Sequence, residues 1–226
     1  MAKSFDMLMD VSLKKFAWNF LVFVVCLWEA PNRYNPKEIN SIEMILQDSQ
    51  GGRIQTLVPK ALVRKWNDNF HEFKMYKMSN FIVVDKRDKT KTTMNRWTLN
   101  FSHRTVVVLV ENPTFPLQAF RLTQILKLLN ADRINDSQVV DIMGEVVEKE
   151  DPRKFITSEG KEPKCLAILV EDIDNYRIGC VLFENMVDQI LPYLDNGRVE
   201  TLIVVLQFFR SSRWNGMNPD PLSCSI

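Results

Sequence analysis

Two stretches decide the fold. Ile42–Phe70 reads IEMILQDSQGGRIQTLVPKALVRKWNDNF, and Leu166–Leu194 reads LAILVEDIDNYRIGCVLFENMVDQILPYL; they run in parallel without a gap at an offset of 124 positions. In the first, Met44-Ile45-Leu46-Gln47-Asp48 leads to Arg53-Ile54 and then Leu57-Val58. In the second, Ile168-Leu169-Val170-Glu171-Asp172 leads to Arg177-Ile178 and then Val181-Leu182. Each copy spells apolar strand, acidic turn, basic strand and amphipathic helix. Solenoid repeats recur every 20–50 residues or so, and this period is far longer. The chain therefore holds two copies of a small domain, and its function should lie on a surface that both copies share.

Working outward from the first copy, Trp18–Trp28 is rich in Phe, Val and Trp and reads as a long strand. Pro31, Asn32, Asn35 and Pro36 make the following stretch a loop. Ser41–Gln47 and Arg53–Val58 form a hairpin around Asp48-Ser49-Gln50-Gly51-Gly52. Pro59 opens a helix with Leu62, Val63, Trp66 and Phe70 on one face. Lys74–Val84 is a fourth strand, Asp85–Thr93 a basic loop and Asn95–Val110 a fifth strand region. Asn112-Pro113-Thr114-Phe115-Pro116 marks a boundary, so the first domain spans 1–112 and a connector 113–136 carries a helix over Leu117–Leu129. The second domain, 137–226, repeats the order with strands Val139–Val147, Cys165–Glu171 and Tyr176–Leu182, a helix Glu184–Leu194 and a strand Glu200–Phe209. Its fifth strand is not evident, because Pro219 and Pro221 interrupt the short tail. Three strands, a helix and two strands is the order of the OB-fold, so the expected fold is all-β with short helices: two tandem five-stranded OB-fold barrels, the second incomplete at its C-terminal strand.

Composition narrows the function. The net charge of +1 hides an asymmetry: residues 1–112 hold 17 Lys/Arg against 11 Asp/Glu (+6), and residues 113–226 hold 12 against 17 (−5). The first half is suited to a polyanion, or carries a solvated imbalance with no partner. Cys26, Cys165, Cys180 and Cys224 form no Cys-x-x-Cys pair and only His71 and His103 accompany them, so no metal site is expected. Lys14 and Lys15 before the apolar run Phe16–Trp28 resemble a secretory signal, but Asn19 within the run and Glu29 after it argue for a strand. The run is also too short to span a bilayer, which takes about 20 residues, and no membrane association is expected. There is no phosphate loop, dinucleotide fingerprint or two-histidine metal motif, and Asp172 with Asp174 falls in a hairpin turn. No enzymatic step and no cofactor are expected.

At this point the residues resemble a family. Phe5-Asp6-Met7-Leu8, Trp18 and Leu27-Trp28-Glu29 in strand one, Asn40-Ser41-Ile42-Glu43-Met44 and the hairpin Asp48–Gln55 carry the likeness in the first half. Val140-Asp141-Ile142-Met143-Gly144, Val181-Leu182-Phe183 and Val204-Val205-Leu206-Gln207-Phe208 carry it in the second. Over about residues 4–218 the chain resembles the large DNA-binding subunit of replication protein A, in its expanded plant-type group. The resemblance implies tandem OB-folds that bind single-stranded DNA (single-stranded RNA being the alternative strand), in the nucleus, in replication, repair or recombination. Assembly with two smaller subunits is not expected, because the third, zinc-bearing OB-fold that mediates it in the family has no counterpart in these residues.

Single-strand binders combine a basic groove for phosphates with aromatics on which bases stack. In the family one aromatic ends strand three and another lies between strands four and five. In the second copy these positions are Phe183 and Trp214, with Arg177, Arg210 and Arg213 supplying charge. In the first copy they are Pro59 and Thr90, neither a stacking residue, and Leu21, Phe23 and Cys26 stand where the family often has basic residues. What remains there is charge: Arg33 and Lys37 in the first loop, Arg53 on strand three, and Lys86, Arg87, Lys89, Lys91 and Arg96 around the second loop. Trp97 and Phe101 alternate on strand five and face either groove or core. The alternative class is an OB-fold protein-interaction or scaffold module that has lost most DNA affinity, which the missing aromatics of the first copy favour.

Overall fold

The computed structural model describes residues 5–32, 34–35, 37–86, 92–112, 115–130, 139–154, 162–194, 201–210 and, for the backbone alone, 222–223. They fall into two compact units, Met1–Ala119 and Phe120–Ile226.

In the first unit β1 (Asn19–Pro31), β2 (Ile39–Gln47) and β3 (Arg53–Pro59) form an antiparallel meander. The apolar run after Lys14 and Lys15 is thus the start of a central strand, not a helix. A short helix, α1 (Lys60–Trp66), follows directly from Pro59, which occupies the cap position. Leu62 and Trp66 are buried and Val63 half-buried, as the spacing predicts, but the helix ends at Trp66 and Phe70, expected on the same face, is buried beyond its end. The fourth and fifth strands are each broken in two: β4 (Met75–Ser79) and β5 (Ile82–Asp85), then β6 (Trp97–Asn100) and β7 (Val106–Val110). The sheet order is β5-β6-β3-β2-β1-β4-β7. Its two ends are therefore the halves of one bent hairpin, and the sheet closes on itself. The bend is pinned at Asn80, whose φ is 63°. The backbone carbonyl of Asn80 accepts from Ser102 Oγ at 3.1 Å and Thr105 Oγ1 at 2.9 Å, while its side-chain Nδ2 donates to the Arg104 carbonyl at 3.2 Å. Inside the barrel Phe101 meets Trp66, Phe70 and Phe81 edge-on at 5.4, 5.5 and 5.3 Å, the arrangement that ring quadrupoles favour.

In the second unit a five-residue helix, α2 (Ile125–Leu129), precedes β8 (Val139–Lys149). The helix expected over Leu117–Leu129 is shortened for a physical reason. The Arg121 N–H donates to Asp141 Oδ2 at 2.8 Å and the Thr123 N–H to the Asp141 carbonyl at 2.7 Å, which holds this stretch as a bridge to β8. Next come β9 (Arg153–Lys154), β10 (Lys164–Glu171), β11 (Arg177–Phe183), α3 (Asn185–Leu194), β12 (Ile203–Arg210) and β13 (Leu222–Ser223). The order is β12-β8-β10-β11-β13, with β9 beside β10. The second unit's C-terminal strand is incomplete, as expected: among the described residues only the two-residue β13 stands there, running parallel to β11 (Cys180↔Leu222) as β6 runs parallel to β3 (Gln55↔Thr98). Two residues were too few to stand out beside two prolines. Among the described residues no strand pairs with the far edge of β12, so this sheet is a curled half-barrel. A cavity of about 430 Å³ opens between α3 and β12, lined by Met186, Ile190, Tyr193 and Leu206 among others.

The repeat holds at the level of single hydrogen bonds. Asp48 Oδ1 accepts from the N–H groups of Gln50 and Gly52 at 3.0 and 2.8 Å; Asp172 Oδ1 accepts from those of Asp174 and Tyr176 at 3.0 Å each. Gly51 (φ 80°) and Asn175 (φ 63°) take the left-handed corner of the same turn, a conformation that Gly and Asn adopt most readily. Asp172 and Asp174 are thus turn residues, as their spacing suggests.

Candidate nucleic-acid interface

On each hairpin alternate residues point into the barrel, so the others form its outer face. In the second unit Leu166, Ile168, Val170, Ile178, Cys180 and Leu182 are core. The outer face then carries four cross-strand pairs: Cys165↔Phe183, Ala167↔Val181, Leu169↔Gly179 and Glu171↔Arg177. Ala167, Leu169, Val181 and Phe183 are half-buried, and Arg177 is exposed. The result is a shallow apolar floor with an aromatic ring at one end and a guanidinium at the other. Arg177 Nε donates to Glu171 Oε2, and this bond raises the arginine above its ordinary pKa. Arg210, the last residue of β12, is exposed. Arg213 and Trp214 lie outside the described residues.

The first unit fills the corresponding face with its own atoms. Gln55 Nε2 donates to Glu43 Oε2 at 2.6 Å. Lys86 Nζ and Thr92 Oγ1 donate to Gln55 Oε1 at 2.5 and 2.7 Å, so these two residues are drawn onto the strands. Arg53, expected on a phosphate track, is instead buried at 7% exposure. Its Nε donates to Gln47 Oε1 at 2.9 Å, and its Nη2 donates to the carbonyls of Gln118 and Ala119 at 3.0 and 2.9 Å. This clamp carries the first unit past residue 112, the expected boundary. Gln47 and Gln55 are as buried as Arg53, at 1% and 6%. Nothing in the sequence near Arg53 announces partners 65 residues away.

The remaining candidates are dispersed. Lys37 is exposed in the β1–β2 loop. Beside it Glu38 is held below its ordinary pKa, chiefly by hydrogen bonds from Lys60 and Asn32. Arg33, Arg87, Lys89 and Lys91 lie outside the described residues. Arg96 is exposed, and its Nε and Nη2 donate to the two carboxylate oxygens of Asp85 at 3.1 and 2.9 Å. Those bonds raise its pKa. Its guanidinium carbon stands 4.8 Å from the ring centre of Trp97. Phe101 is core, whereas Trp97 is half-buried, packed against the core on one side and under Arg96 on the other. The sequence left Trp97 open between groove and core; the one legible signal for a surface position is the neighbouring arginine. Cys165 and Cys180 are buried and Cys26 is half-buried.

Both units have the OB-fold arrangement of a five-strand order with a helix between the third and fourth strands, and the chain is a tandem OB-fold protein. It belongs to the family described as "Domain of unknown function DUF223", whose profile matches residues 9–131. No curated protein sequence matches the chain. Among solved structures it is similar to a chain of a replication protein A heterotrimer bound to single-stranded DNA, with a TM-score of 0.64 at 14% identity. That match covers 91% of this chain and 47% of the other, so the chain spans about half the length of that protein. Weaker likenesses are to tetrameric p202 HIN2 (TM-score 0.46, 10% identity, 92% and 88% covered) and to fission yeast Pot1 with single-stranded DNA (TM-score 0.30, 11% identity, 93% and 81% covered). Among the described residues no helix is long and apolar enough to cross a membrane.

Proposed function

We propose that the chain binds single-stranded DNA without a catalytic step, mainly through the outer face of β10 and β11. One observation carries this reading: in the second unit that face is a half-buried apolar floor, with Phe183 at one end and Arg177 at the other. A flat apolar strip with a ring at its edge suits unpaired bases, each stack contributing about 1–3 kcal/mol in single-strand binders generally. The basic loop after β5 adds charge that follows phosphates without reading sequence. Trp214, beside Arg213, belongs to the same proposal. Further proposals follow from the family resemblance: a place in the nucleus, and work in replication, repair or recombination.

The test is fluorescence anisotropy of a labelled oligothymidine of about 30 nucleotides, a length two OB-folds cover at roughly 4–16 each. Binding that prefers the single strand over duplex and weakens with salt is expected; no binding at low salt by a folded sample overturns the reading. A second reading, a protein-interaction scaffold, is favoured by the first unit, where Gln55, Glu43 and Arg53 spend their polar groups on the chain itself. Absence of nucleic-acid binding in the same experiment is its signature, and an oligoribonucleotide competitor separates RNA from DNA.

A further inference from the structure

The base of the loop between β5 and β6 holds a small constellation that phosphate binding does not explain. Asp85 and Trp97 are opposite each other in the antiparallel β5–β6 pair, and the Lys86 N–H donates to the Arg96 carbonyl at 2.9 Å to shut the loop's base. Arg96 is gripped at two of its nitrogens by Asp85, which fixes the plane of the guanidinium, and it lies over the Trp97 ring. Even so, its side chain is 69% exposed. Among the described residues the other cations set over rings, Lys15, Lys65 and Lys77, are lysines and present no plane.

An arginine that merely neutralises phosphate gains nothing from a carboxylate that already neutralises it. A planar group held rigid, supported from below by an aromatic ring and open to water, has a different use: guanidinium planes stack on π-systems, and fixing the plane beforehand cuts the entropy lost on contact. We propose that Arg96, braced on Trp97 and clamped by Asp85, is a stacking platform for one nucleobase, serving the first unit where Pro59 and Thr90 cannot. This rests on the nucleic-acid reading above and assigns Arg96 a planar role in place of a charge contact. Lys86 lies one residue from the clamp, with Nζ on Gln55, placing positive charge where the backbone of a stacked nucleotide would pass.

The experiment is to measure binding of oligothymidine and of an abasic oligonucleotide of equal length, each across a salt series, for the full chain and its Arg96→Lys and Asp85→Asn variants. Both substitutions are at the surface of a loop base. Stacking predicts that Arg96→Lys weakens oligothymidine binding by roughly fivefold or more, leaving the salt slope and abasic binding unchanged. Asp85→Asn, which loosens the plane while unmasking the charge, should also weaken oligothymidine binding. A phosphate contact predicts the reverse: Arg96→Lys nearly silent, and Asp85→Asn tightening both strands. That outcome, or equal losses on both strands, overturns the platform while the single-strand reading survives. Failure of the unaltered chain to bind either strand overturns both together.

Discussion

The outer faces of the two hairpins differ row by row over one backbone. Gln47 and Arg53 answer to Glu171 and Arg177, Glu43 and Gln55 to Ala167 and Gly179, and Pro59 to Phe183. In the first unit the two middle rows, Ile45↔Gln55 and Glu43↔Leu57, are bridged diagonally by a carboxylate–amide bond with Lys86 drawn onto it; in the second they are Leu169↔Gly179 and Ala167↔Val181, which carry no polar side chain. Both first rows hold an arginine bonded across its hairpin, but only Arg53 also reaches two carbonyls of the following segment. A duplicated fold thus keeps its turns and core while one copy turns its outer face inward on itself. What the fold preserves is a position for a face; what the side chains decide is whether that face is available.

The largest expected effect comes from removing the second face altogether. At Gly144 a Cβ would stand 2.3 Å from the Glu171 carbonyl oxygen and 2.7 Å from Val170 Cγ1, where β8 crosses β10. Gly144→Ala should destabilise the second unit by about 3 kcal/mol, because a backbone atom must move to admit it. A two-step denaturant melt would show the second unit's transition shifted and the first unit's unchanged. In denaturant between the two midpoints of the second unit, unaltered and substituted, DNA affinity should drop to whatever the first unit supports alone; undiminished affinity there would refute the contrast between the faces.

Next in size is Phe183→Ala, expected to weaken oligothymidine binding by about 1–3 kcal/mol with little change in stability. Its counterpart position in the first unit, Pro59, tolerates replacement without any change in binding if the first face is occupied. Ala167→Glu would sharpen the comparison by installing the first unit's carboxylate on the second floor. It should cost about 1 kcal/mol of binding at low salt and progressively less as salt screens the repulsion. Anisotropy titrations at two salt concentrations measure both.

The smallest expected effect lies in the core. Thr56 Oγ1 is buried with no hydrogen-bond partner, whereas Cys180, its counterpart, has its thiol near the Ile178 carbonyl at 3.8 Å. Thr56→Val should stabilise the first unit by about 1 kcal/mol, because an unsatisfied hydroxyl is removed at nearly constant shape. A rise in the first unit's melting midpoint checks it.

The sequence made the hairpins, both longer helices and the tandem order legible, because each rests on local periodicity and turn chemistry that a second copy reads out again. It did not reveal the breaks in strands four and five, which depend on Asn80 meeting Ser102, Arg104 and Thr105 in the folded barrel. Nor did it show that residues 121–123 are held by Asp141 rather than helical. The candidate site was legible as a list of basic and aromatic residues, not as an arrangement. Arg53 and Arg96 look alike in the sequence, yet one is walled in by carbonyls and the other is displayed on a tryptophan. Only distant partners separate them.

The grip of Arg53 on Gln118 and Ala119 bears on how the molecule is dissected. A fragment ending at Asn112, the natural place to cut by eye, would delete both carbonyl acceptors and leave a guanidinium with two fewer partners. Such a fragment would show solvent a cation that the whole chain keeps hidden. Its DNA affinity would then report on the scissors as much as on the domain, and a fragment carried through Ala119 is the one that keeps the native surface.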